Sequence, residues 1–123
     1  MDVIHTAIWV SDLERSYDFY VEGLGLEESH RFDLGGVENI YVGGDHGEIQ
    51  LRYDESSGGV DPDRETLDHV ALGVDDVDAT FDRVRAETGC PVVEEPFTVD
   101  QAGARVAFVE DPDGYVIEFV EQL

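Results

Sequence analysis

Lysine is absent from this sequence, and cysteine, methionine and tryptophan occur once each. No apolar run approaches the length needed to span a bilayer. The single cysteine, Cys90, excludes an intramolecular disulfide and a zinc cluster built on thiolates. It is expected to pack as a small apolar side chain. With no lysine, seven arginines stand against 30 acidic residues, and the net charge is −23. Such a field repels nucleic acid and anionic membranes, so neither is expected as a partner. It also loads a small folded body with self-repulsion, which molar salt screens by shrinking the Debye length to about 3 Å. The composition therefore fits a halophilic protein from a salt-filled cytoplasm. The opening residues, MDVIHTAIWV, have no charged n-region and no long apolar stretch. A soluble, cytoplasmic protein without a signal peptide is expected. Apolar residues make up 41% of the chain and recur with clear period, which excludes disorder as the meaning of the acidity.

What the sequence does contain is a repeat. HTAIWVSDLERSYDFYVEGLG, starting at His5, aligns without a gap on HVALGVDDVDATFDRVRAETG, starting at His69. His5 and His69, Ala7 and Ala71, Val10 and Val74, Asp12 and Asp76, Tyr17 and Phe81, and Gly25 and Gly89 all fall 64 positions apart. Further on, the strand around Ile40 matches that around Ala107, and Ile49-Gln50-Leu51 matches Ile117-Glu118-Phe119. Two copies of one unit are implied: repeat one at residues 1–54, a polar linker at 55–65, and repeat two at 66–123 of a single domain.

The periodicity predicts the same element order in both copies. Residues 3–10 alternate as a strand, with His5 and Trp9 on one face. Ser11 and Glu14 form a capping box, followed by a helix presenting Leu13, Tyr17, Tyr20 and Val21, stopped by Gly23 and Gly25. Strands are expected at 26–34, 37–43 and 47–54, with turns at Gly35-Gly36 and from Gly43 to Gly47. The second copy predicts a strand at 67–74, a helix at 76–88, and strands near 92–97, 105–110 and 115–121. Asp111-Pro112-Asp113-Gly114 fits a type I turn.

His5 and His69 hold equivalent places on the first strands, and Gln50 and Glu118 on the last. If the copies pack about an approximate twofold, two imidazoles, an amide oxygen and a carboxylate converge on one mixed nitrogen–oxygen site. That set suits one divalent ion of Zn, Ni, Co, Mn or Fe(II). A lone histidine on an apolar strand is more often a satisfied core residue. A carboxylate between Ile117 and Phe119, however, would cost several kcal/mol without a cation nearby.

HTAIWVSDLERSYDFYVEGLGL, EIQLRY, HVALGVDD and FVEDPDGYVIEFVE together resemble the vicinal-oxygen-chelate superfamily, closest to its glyoxalase I members, over essentially the whole chain. The resemblance implies an α+β fold in which two βαβββ modules form an open, cup-shaped, eight-stranded mixed sheet. It also implies a homodimer and metal ligands at His5, Gln50, His69 and Glu118. Its chemistry would be proton transfer through an enediolate, with Glu118 as the catalytic base and acid, on the adduct of a 2-oxoaldehyde with a thiol. Three departures stand out. Gln50 replaces the usual glutamate. Trp9 replaces the arginine four residues past the first ligand in glutathione-using relatives, and Asp54 replaces the asparagine four past the second. Glu48, on the face of Gln50, is a distant substitute carboxylate.

Other activities share the pattern. Methylmalonyl-CoA epimerases use a His, Gln, His and Glu set. Extradiol dioxygenases use two histidines and a carboxylate, and would need an acid such as His30, His46, Tyr41 or Tyr53. Antibiotic-binding members are non-catalytic and typically lack the ligands. Arg105 is either a clamp for a substrate carboxylate or, more simply, a surface arginine paired with an acidic neighbour.

Overall fold

The computed structural model describes residues 1–57 and 59–123. The chain divides into two compact units between Val60 and Asp61, and each is built the same way. In the first, the order is β1 (His5–Trp9), α1 (Leu13–Tyr17) running into a π-helical turn (Asp18–Gly23), then β2 (Glu27–Leu34), β3 (Val37–Gly43) and β4 (Glu48–Asp54). In the second it is β5 (Val70–Gly73), α2 (Val77–Thr88), β6 (Val92–Val99), a short 3₁₀ turn (Asp100–Ala102), β7 (Ala104–Glu110) and β8 (Val116–Gln122). Each unit holds a four-stranded mixed sheet, ordered β1-β4-β3-β2 and β5-β8-β7-β6. The first and last strands of each unit run parallel, β1 beside β4 and β5 beside β8, and the other pairs are antiparallel. This is an α+β arrangement of two mixed sheets, as the resemblance implied.

Alternation along the strands sorts the side chains. Ile8, Val10, Ile40, Val42, Ile49 and Leu51 turn to one face of the first sheet and are buried with Phe19 and Tyr20 of the helical segment. Ala107, Val109, Ile117 and Phe119 do the same in the second unit, with Val77, Phe81 and Val84 of α2. Each large apolar side chain so covered contributes about 1.5–3 kcal/mol. His5, Gln50 and Glu118 belong to the opposite faces by the period-two rule.

The first helix differs from expectation. Asp12, not Ser11, is the N-cap: its extended backbone (φ −145°, ψ 106°) lets the carboxylate accept from Arg15 N at 3.0 Å. Asp76 repeats this with Ala79 N at 3.0 Å. The Ser11 hydroxyl accepts instead from Val60 N at 2.8 Å. After Tyr17 the bonding widens by one residue, with Leu24 N donating to Phe19 O. The buried positions are Ser16, Phe19, Tyr20 and Gly23; of the expected face Tyr20 is buried, while Leu13, Tyr17 and Val21 are half-buried. Gly25 and Gly89 close the two helical segments at φ 84° and 66°, a region that suits glycine. β5 is shorter than expected, so His69 lies just before it.

The turn from Asp111 to Gly114 closes with Gly114 N donating to Asp111 O at 3.1 Å. The Asp111 side chain, 3% exposed, accepts from Asp113 N and Tyr115 N at 2.9 Å each. Asp111→Ala is expected to lower unfolding free energy by about 2 kcal/mol, because two backbone donors lose a charged acceptor. The urea midpoint should fall with the slope unchanged.

Candidate active site: two residue sets with one plan

In the first unit, strand register sets the arrangement. His5 lies beside Glu48, Ala7 beside Gln50 and Trp9 beside Arg52, while Tyr41 and Asn39 of β3 face Gln50 and Arg52. All these side chains share one face of the sheet. The His5 ring meets Tyr41 edge-on, with centroids 5.4 Å apart and an interplanar angle of 86°. Gln50 is 9% exposed, and its Nε2 donates to Asn39 Oδ1 at 2.9 Å. Asn39, 2% exposed, donates in turn to Val37 O at 3.1 Å. With the amide nitrogen of Gln50 committed to Asn39, its oxygen is the end left for a cation.

The second unit repeats the plan with a carboxylate. Glu118 pairs in register with Ala71 on one side and Phe108 on the other. His69 meets Phe108 edge-on at 5.8 Å and 88°, as His5 meets Tyr41. Its Nε2 is 3.0 Å from Glu118 Oε2, and its Nδ1 is 2.7 Å from Asp68 Oδ2. Asp68 thus accepts the Nδ1 proton and fixes the ring, the usual support of a ligating imidazole. Nε2 then either carries a second proton toward Glu118 or offers its lone pair to a cation shared with Glu118. Two adjacent ligands of one cation, each about 2.1 Å from it, stand roughly 3 Å apart. The His69–Glu118 pair has that spacing, so its donor set fits a divalent ion.

Among the described residues no group of three or more His, Cys, Asp or Glu side chains forms a ready-made metal cluster. In the second unit His69 touches Glu118, and in the first His5 and Gln50 share one face of the sheet.

The remaining expectations sort cleanly by face. Tyr41 and His30 lie on the face of His5, with ring centroids 5.9 Å apart. Tyr53 turns to the other side, where it lines an open groove of about 480 Å³ with Tyr17 and Arg31. His46 is exposed in the turn between β3 and β4. Glu48 is bonded by the Ser29 hydroxyl. Asp54 accepts from Ser56 Oγ and Ser56 N, and these bonds hold its carboxyl below the usual aspartate range. Arg105 grips Asp78 with two nitrogens, at 2.5 and 2.9 Å, which is the simpler of its two expected roles.

Two residues that sequence reasoning passed over belong to the set in the first unit. Asn39 bonds both Gln50 and Arg52, the latter through Nε at 3.0 Å. Arg52 places its guanidinium 4.5 Å from the centre of the Trp9 ring. The signal was in the repeat: the second copy has Val106 where the first has Asn39, and Val120 where it has Arg52.

The chain is 39% identical to the lactoylglutathione lyase of Haemophilus influenzae, over 98% of this chain and 93% of that protein. Among solved structures it is similar to the trypanothione-dependent glyoxalase I of Leishmania major, with TM-score 0.81 and 29% identity, covering 99% of this chain and 87% of that one. It is also similar to an antibiotic binding protein from Streptomyces, with TM-score 0.77 and 26% identity over 100% and 97% of the two chains. Residues 3–119 match the description Glyoxalase/Bleomycin resistance protein/Dioxygenase superfamily, and the chain belongs to that superfamily.

Proposed function

We propose that the protein is a metal-dependent lyase of the glyoxalase I type, acting on the hemithioacetal of a small 2-oxoaldehyde with a thiol. His5, Gln50, His69 and Glu118 hold one divalent ion of Zn, Ni, Co, Mn or Fe(II). The observation that carries the reading is the His69–Glu118 pair at 3.0 Å, set on a sheet whose twin presents His5 and Gln50 at equivalent places. A non-catalytic binder has no need of that set. Bound by these four residues, such an ion would supply Lewis-acid stabilisation of the negative charge that develops on the substrate.

Glu118 does the proton work. Its carboxylate removes the proton from the carbon bearing sulfur and returns one to the neighbouring carbon. With the hydroxyl proton passing to the former carbonyl oxygen, hydroxyl and carbonyl exchange places, the adduct becomes a 2-hydroxyacyl thioester, and no atom is gained or lost. His69, held by Asp68, keeps Glu118 aligned, while Asn39 holds Gln50 with its oxygen outward. The protein on this reading is a cytoplasmic, symmetric homodimer with a small-molecule substrate.

The test is turnover of methylglyoxal with glutathione, before and after chelation and with each metal restored in turn. Activity should fall by about a hundredfold or more on chelation and return with one or more of the ions. Turnover that is indifferent to the chelator, or absent with every metal, defeats the proposal. Tight binding of a hydrophobic antibiotic by metal-free protein would establish the sequestering alternative.

A further inference from the structure

We infer that Arg52 is the anchor for a carboxylate on the thiol half of the substrate, an inference that rests on the glyoxalase-type reading above. Five of the seven arginines hold a carboxylate: Arg31 with Glu28, Arg64 with Glu110, Arg83 with Glu87, Arg85 with Glu95 and Arg105 with Asp78. In a chain with 30 acidic residues that is the default fate of a guanidinium. Among the described residues Arg15 and Arg52 have no such partner, and of the two Arg52 lies on the strand face of Gln50. It is half-buried on the face that carries His5 and Gln50, and two neutral groups orient it: the Asn39 amide oxygen at 3.0 Å and the Trp9 ring at 4.5 Å. Asp54, two residues along the same strand, turns its carboxylate to Ser56 instead.

An arginine oriented through Nε and a ring face keeps its two terminal nitrogens in the fork that matches a carboxylate. Residues 50 and 52 point the same way about 6.6 Å apart along the strand. A substrate whose reacting oxygens lie at Gln50 can therefore extend its thiol portion toward Arg52. One guanidinium matches a single carboxylate and not a diphosphate, and Glu48 and Asp54 on the same strand face turn to Ser29 and Ser56, so the substrate class is a carboxylate-bearing thiol adduct rather than a coenzyme A ester. Asn39, bonded to both side chains, is a positioning residue that couples the anchor to the ligand.

Trp9 is the sole tryptophan and lies against Arg52, so its fluorescence reports occupancy directly. The experiment titrates the protein with S-methylglutathione and with its diethyl ester, for the wild type, Arg52→Gln and Arg52→Lys, with folding of each checked by circular dichroism. The free acid should bind the wild type about tenfold or more tightly than the ester. Arg52→Gln should erase that preference, and Arg52→Lys should restore part of it. In turnover of the glutathione hemithioacetal, Arg52→Gln should raise KM about tenfold and change kcat little. Equal binding of acid and ester by the wild type, or an unchanged preference in Arg52→Gln, overturns the inference. Turnover and binding separate the two readings. A wild type with the acid preference and no turnover sinks the lyase proposal alone, while turnover with no acid preference sinks the anchor alone.

Discussion

Glu118→Gln is expected to lower kcat by about a thousandfold while leaving the melting temperature within a few degrees of the wild type. General acid–base catalysis contributes roughly 10²–10⁴-fold, and an amide of the same shape can neither take nor return the proton. The substitution also removes the one carboxylate of the proposed ligand set, so bound metal per chain should fall with activity. Stability should hold because Glu118 is 14% exposed between Ile117 and Phe119, and glutamine fills the same space without the cost of a half-buried charge. Steady-state kinetics beside elemental analysis of the purified variant measures both effects. Retention of more than about a tenth of the wild-type kcat would place proton transfer on another residue. Glu48, already engaged by Ser29 beside His5, would then be the group to substitute next.

The parts of this protein that are written twice were legible. His5 and His69, and Gln50 and Glu118, stand at matching places in both copies, and in each unit the histidine ring meets an aromatic ring edge-on. Strand alternation then fixes which side chains share a face, because a register error of one residue would turn an entire apolar set into water. What sequence missed lies where the copies diverge. The π-helical turn after Tyr17 changes the helical period locally, so a 3.6-residue reading placed Val21 inward, whereas the structure buries Phe19 and Gly23 and leaves Val21 half-buried. Ser11 looked like a cap because a hydroxyl three residues before Glu14 has the right spacing. The backbone reaches the extended geometry of a cap one residue later, at Asp12. Asn39 and Arg52 were missed because a polar residue on a half-buried strand looks like surface until its partners are known. Their bond joins positions 13 apart in sequence, across the β3–β4 pairing.

Raising KCl from about 0.05 M to about 2 M is expected to lift the melting temperature by about 15 °C, as the Debye length falls from beyond 10 Å to below 3 Å. The sign follows from two opposed electrostatic effects. Salt weakens the five arginine–carboxylate pairs, but these are at the surface and worth at most about 1 kcal/mol each. Against them stands the mutual repulsion of a net charge of −23, which a folded body concentrates and an unfolded chain spreads out. With about 4–8 °C of melting temperature per kcal/mol for units of this size, 15 °C asks for a net gain of only a few kcal/mol. Chloride is the right anion for the measurement, because sulfate would also strengthen apolar burial and confuse the cause. Screening also predicts a shape: most of the rise should come below about 0.5 M, where the Debye length changes fastest. A flat profile would mean that the acidic side chains lie far enough apart in the folded state for water alone to separate them, and the surface would then owe nothing to a saline cytoplasm.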